Sequence, residues 1–224
     1  MKNPSSSLRF LMFSLGFLAG GAASLSASEL AWAQTEAALA VAPGQTECAA
    51  IGSVRNPGQT PVAIVGLMPD CDCVTATADP AAVPPGGHGF VKVTVALHGE
   101  SGLLGKSVTV RTTPANAAPD RLILRIRVPA IATLEPEVLA WSGHDYGQAK
   151  EFRLRLNPEA HGRLKGVTSD FPDLALEVKP VEPDQLYRII VTPQRTAAPH
   201  HITVKIAVDL NGTERVFPAT VVLR

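Results

Sequence analysis

Apolar and polar residues alternate singly along most of this chain, the period of a strand with one packed and one solvated face. Residues 89–95 put Val91, Val93 and Val95 on one side, and residues 106–112 and 122–128 repeat the alternation. Shorter runs predict strands over residues 37–41, 46–54, 61–68 and 74–78, with Arg55-Asn56-Pro57-Gly58-Gln59 a turn by composition. That makes about seven strands at the spacing of an immunoglobulin-like sandwich, ending near Pro129. The second half keeps the strand density, with runs over 152–156, 174–178, 187–191, 202–208 and 216–223. Asn211-Gly212 between the last two is a two-residue hairpin signal, because both turn positions need positive φ. The expected fold is all-β, with two tandem immunoglobulin-like antiparallel β-sandwich domains over residues 34–129 and 130–224.

The first residues follow a different rule. Lys2 and Arg9 precede an apolar run from Phe10 to Ala19, which is short for a bilayer span of about 20 residues, and small residues follow. Ala31-Trp32-Ala33 has the Ala-x-Ala form that a signal peptidase cuts. Residues 1–33 are therefore expected to be a cleaved signal peptide, leaving a periplasmic or secreted protein with no transmembrane anchor. The leader has no cysteine for lipid attachment, and Arg9 stands alone where a twin-arginine signal needs a pair.

Charge narrows the partners. Lys plus Arg and Asp plus Glu number 20 each, so the chain lacks the basic footprint of a nucleic-acid or anionic-membrane binder. Two tryptophans and two tyrosines provide no stacking platform for bases. The 19 prolines and 18 glycines follow no repeat, as suits many turns between short strands.

Candidate chemistry concentrates in three cysteines, Cys48, Cys71 and Cys73. In an extended strand Cys71 and Cys73 would point the same way with Cα atoms about 6.6 Å apart. A disulfide needs about 6.8 Å or less, so a bond between them requires the chain to turn, which Asp70 and Asp72 favour. Cys48 is an alternative partner for either. Two thiolates on one face also suit copper(I), with His88 or His98 available to complete a site for a harder ion. A copper-delivery factor of cytochrome oxidase assembly with an immunoglobulin-like fold and a Cys-Phe-Cys motif looks similar in that one respect. A thiol-redox role is the third reading. It lacks the Cys-x-x-Cys spacing, and the flanking aspartates oppose an easily formed thiolate.

Other residue sets are blander. Ser142-Gly143-His144-Asp145 has hydrolase residue types in tandem, but adjacent side chains cannot build a triad. Gly99-Glu100-Ser101-Gly102 falls one residue short of a nucleophile elbow, His200-His201 would point to opposite faces of a strand, and Arg153 and Arg155 read as a solvated face. Asn211-Gly212-Thr213 also matches a glycosylation triplet, which ranks below its reading as a turn.

Asn56-Pro57-Gly58, Cys71-Asp72-Cys73, Pro84-Pro85-Gly86-Gly87 before a strand, and Gly102 through Val110 occur in an order that resembles the bacterial family of unknown function DUF1573, over residues 46–129. The resemblance implies an exported immunoglobulin-like domain carrying a Cys-Gly-Cys-Thr motif. Asp72 stands where that motif has glycine, Val74 where it has threonine, and Thr113 near a common asparagine.

Together these readings describe an exported cell-envelope protein, non-enzymatic, acting as an accessory or protein-binding module whose partner is another envelope protein. The alternative is a copper(I)-binding or thiol-redox protein working through Cys71 and Cys73, with His88 as a further metal ligand.

Overall fold

The computed structural model describes residues 30–113, 119–194 and 200–224. The first half contains nine strands: β1 (Ala31–Trp32), β2 (Glu36–Ala40), β3 (Glu47–Arg55), β4 (Val62–Pro69), β5 (Val74–Asp79), β6 (Ala82–Val83), β7 (His88–Ala96), β8 (Gly102–Thr113) and β9 (Asp120–Val128). They form two sheets, ordered β1-β3-β7-β5 and β2-β9-β8-β4-β6. The alternating valines of β7 and the Leu122, Leu124 and Ile126 series of β9 turn toward each other. With Val74, Val108 and Val110 they make one buried cluster between the sheets. A smaller cluster of Leu30, Val54, Val62 and Val83 closes one end of the sandwich.

The second half contains β10 (Ala132–Glu135), β11 (Val138–Trp141), β12 (Lys150–Leu156), β13 (Gly162–Ser169), β14 (Leu174–Glu182), β15 (Leu186–Pro193), β16 (His200–Leu210) and β17 (Thr213–Leu223). Its sheets run β10-β12-β15-β14 and β11-β17-β16-β13. Trp141 and Phe152, both fully buried, anchor a core that shares no residue with the clusters of the first half. Asn211 and Gly212 form the β16–β17 turn with φ of 52° and 88°, as the hairpin signal requires.

The halves repeat one strand plan. In each, the leading segment first pairs antiparallel with the next long strand, β1 with β3 and β10 with β12. It then crosses to the other sheet and runs parallel to the last strand, β2 beside β9 and β11 beside β17. The chain is all-β, two tandem sandwiches whose sheets are antiparallel apart from the parallel β2–β9 and β11–β17 pairs, with a strand distribution compatible with immunoglobulin-like domains.

Five pieces differ from the reading of the sequence. β6 and β10 are too short for alternation to register, and β11 is cut off from β10 by Pro136, whose ring cannot donate to a ladder. β13 has a bulge between Leu164 and Gly166, which shifts Val167 out of step with Leu164. The fifth difference is at the start. Most of the expected leader, residues 1–29, lies outside the described residues, but residues 30–33 belong to the first sandwich, with Leu30 buried and β1 paired to β3.

Candidate functional site

Cys71 and Cys73 lie in the connection from β4 to β5, where the chain leaves one sheet of the first sandwich for the other. The connection is a tight turn closed by a hydrogen bond from Val74 N–H to the Cys71 carbonyl. Turning shortens the Cα–Cα distance to 5.3 Å, below the extended-strand value, and the two sulfurs are bonded to each other. The turn is fastened on both sides. Asp70 N–H donates to the Ser107 carbonyl, while Ser107 N–H and Oγ both reach Asp70 Oδ2, at 2.8 and 3.0 Å. Arg121 donates to the same Ser107 Oγ through Nε and Nη2. On the other side Ala96 N–H donates to the Cys73 carbonyl. Asp70 therefore acts as a strut between the turn and β8.

The other sequence candidates do not join this pair. Cys48, on β3, is a free buried thiol whose pKa is pushed up by burial and further by Glu47, which makes it a poor nucleophile. It faces Val95 across the β3–β7 ladder and bonds to neither partner proposed for it. His88 sits at the far end of β7, roughly 26 Å along the strand from the Ala96 end that meets Cys73. The structure does not bring together the expected metal ligands Cys71, Cys73 and His88: the two sulfurs are bonded to each other, and the imidazole lies a strand-length away. His98 lies beyond Ala96, its N–H bonded to Glu100 Oε2. Among the described residues no three His, Cys, Asp or Glu side chains converge as metal ligands. Gly143–Asp145 forms a short 3-10 turn in which Asp145 pairs with Lys150 at 3.1 Å, and His200 packs against Phe171.

One polar centre escaped the reading of the sequence except as a turn. Asn56 is fully buried, and its Nδ2 donates to the Thr60 and Val83 carbonyls while its Oδ1 accepts from Gly58 N–H. Its backbone N–H reaches the Gly87 carbonyl, and its carbonyl accepts from Gly86 N–H. The Asn56-Pro57-Gly58 turn and the Pro84-Pro85-Gly86-Gly87 turn, distant in sequence, are one hydrogen-bonded unit.

A surface feature is visible only once the strands are ordered. β5 is an edge strand, paired to β7 on one side alone. The bond from Ala96 N–H to the Cys73 carbonyl sets the phase of that antiparallel ladder. Thr75, Thr77 and Asp79 spend their backbone groups on β7, whereas Ala76 and Ala78 direct N–H and C=O away from the sheet. The solvent face beside this edge has cross-strand rows Ser53-Phe90-Asp79, Ile51-Lys92-Thr77 and Ala49-Thr94-Thr75. Ile51 is 56% exposed and Phe90 37%, on diagonal positions that place their side chains side by side. Lys92 and Asp79 are the charged members of these three rows.

Residues 30–128 match the family described as protein of unknown function (DUF1573). The first sandwich is thus a DUF1573 domain. The match begins at Leu30, earlier than the motifs that carry the resemblance, and takes in β1. No curated protein matches the chain. Among solved structures, a protein of unknown function from Porphyromonas gingivalis W83 is similar at 15% identity and a TM-score of 0.32, covering 87% of this chain and 99% of its own. The YadV chaperone is similar at 14% identity and a TM-score of 0.34, covering 85% and 98%, and the Pseudomonas aeruginosa CupB2 chaperone at 13% and 0.32, covering 84% and 99%. At these scores the likenesses carry no argument about what the DUF1573 domain binds.

Proposed function

We propose that this chain is a non-enzymatic accessory module of the cell envelope that binds another envelope protein by strand addition to β5. The observation that carries the reading is the edge itself. β5 has outward backbone groups at Ala76 and Ala78 and no lysine, proline or bulge to block pairing, the devices by which sheet edges are ordinarily protected. The occupant is an extended, weakly charged segment. It gains main-chain hydrogen bonds from the edge, while its side chains on the solvent face lie beside Thr75, Thr77 and Asp79 of β5.

The test is photo-crosslinking in cells from Thr77, with Glu177 on the corresponding edge strand β14 as control. The expected result is an adduct to one identified envelope protein from Thr77, none from Glu177, and loss of the adduct in Ala76→Pro. That substitution removes an outward N–H and leaves the β5–β7 ladder intact. An adduct that survives Ala76→Pro, or its absence from Thr77, overturns the reading. The copper(I) or thiol-exchange alternative requires the Cys71–Cys73 bond to be reduced first. It is supported if copper(I) uptake by reduced protein is lost in Cys71→Ser, and overturned if uptake is absent.

A further inference from the structure

We infer that the leader is removed on the N-terminal side of Leu30, within residues 22–28, all small but Leu25, and that Ala31-Trp32-Ala33 stays in the mature protein as its first strand. The inference rests on the reading of the chain as exported and concerns where the cut falls. Leu30 is only 4% exposed and packs with Val54, Val62 and Val83, each at 2% or less. Ala31 and Trp32 pair with Arg55 and Val54, and Ala33 N–H donates to the Ser53 carbonyl at 2.9 Å. The Trp32 ring lies against Gly52 so closely that a Cβ there would sit 3.2 Å from it, in a site also walled by Leu122.

A cut after Ala33 would strip this segment away. It would open the cluster under Val54, Val62 and Val83, and leave β2 without the antiparallel half of the leading strand that the second sandwich keeps in β10. Small residues at the positions one and three before the bond are supplied equally well upstream, by Ser26 and Ser28 or by Gly21 and Ala23. A cut in that run also gives a leader within the usual length of about 15–30 residues, which a cut after Ala33 exceeds. The reaction is hydrolysis by a membrane-bound peptidase. Water adds across one peptide bond, leaving a carboxylate on the last leader residue and a new α-amino group on the mature chain. The bond between Ser28 and Glu29 is the last in the run that spares Leu30.

Intact mass and N-terminal sequencing of the protein recovered from the periplasm or medium of expressing bacteria test this. The expected first residue lies between Ala23 and Glu29. A start at Gln34 overturns the inference and leaves export standing, whereas an uncut Met1 start confined to the cytoplasm overturns the export reading and this inference with it. A second variant separates the two cut sites independently. Ala33→Lys, at an exposed position, is expected to mature in the same yield with only the mass of the substitution added. Accumulation of its precursor overturns the inference.

Discussion

The sheets β1-β3-β7-β5 and β10-β12-β15-β14 occupy the same place in their sandwiches and present opposite surfaces. The second carries a cross-strand row Glu135-Arg153-Arg188-Lys179, with Glu151 bridging Arg188 and Arg153 and Glu177 beside Lys179 at 3.1 Å. Its edge strand β14 has Lys179, Pro180 and a bulge between Pro180 and Glu182. Both the row and the edge discourage pairing with another chain. The first sheet has threonine, alanine, Ile51 and Phe90 on its face with Lys92 and Asp79 among them, and an unguarded β5 at its edge. One strand plan thus yields a guarded, solvated wall in one half and an unguarded edge in the other, and the residues that differ point outward, where the core does not constrain them.

The cores differ in kind as well. Trp141 is fully buried, its Nε1 donates to the Gln148 carbonyl at 2.8 Å, and the Lys150 ammonium lies 5.1 Å from its ring centre. Trp32 sits at the end of β1, the counterpart of β10, and its Nε1 finds no partner among the described residues. The first half leans instead on Asn56 and on the fastened turn at Cys71.

These differences set the effects expected of mutation. The largest is for Trp141→Ala, which should cost about 3–5 kcal/mol and melt the second sandwich alone. Calorimetry should then resolve two transitions, and proteolysis near Pro129 should release a folded first half; one shifted transition would mean that the halves unfold as a unit. Asn56→Ala should destabilise the first sandwich by about 2–3 kcal/mol, since it leaves the buried Val83 carbonyl, and the part-buried Thr60 carbonyl and Gly58 N–H, without their side-chain partner. Denaturant melts followed by fluorescence would read it, with the transition of the second half unmoved. The double change Cys71→Ser, Cys73→Ser should cost about 1.5 kcal/mol, because a three-residue loop removes little chain entropy and the Asp70–Ser107–Arg121 bonds persist. A loss above about 3 kcal/mol would show that the disulfide, and not the strut, holds the turn.

The smallest effect is electrostatic. Hydrogen bonding to Arg188 holds the Glu151 carboxyl below the usual carboxylate range. A group with a lowered folded pKa contributes stability that is present above its unfolded value of about 4.3 and lost as pH falls through its folded value. Glu151→Gln should therefore reduce the stability of the second sandwich slightly at neutral pH, and the difference from wild type should vanish in acid and in high salt. A difference that grows on acidification would contradict the assignment.

Alternation made the long strands legible because it is a local property. Val91, Val93 and Val95, or Leu122, Leu124 and Ile126, announce their inward face without reference to a partner. Asn211-Gly212 was legible for a similar reason, since its turn is set by the φ preferences of two residues. The segments that stayed hidden depend on neighbours. β1 borrows its identity from β3, β13 is displaced by its bulge, and Asn56 shows its role only when Val83 and Gly87 come beside it.

The candidate site divides along the same line. Sequence alone marked Cys71 and Cys73 and the turn-forming aspartates, determined the all-β class and the two-sandwich plan, and left the partner of each cysteine open. The tertiary structure decided that Cys71 and Cys73 meet each other, that Cys48 stays buried and His88 remote, and that β5 stands at an edge. The reason is that period and turn preference are written in neighbouring residues, whereas pairing, burial and exposure of an edge depend on which distant strands the fold brings alongside.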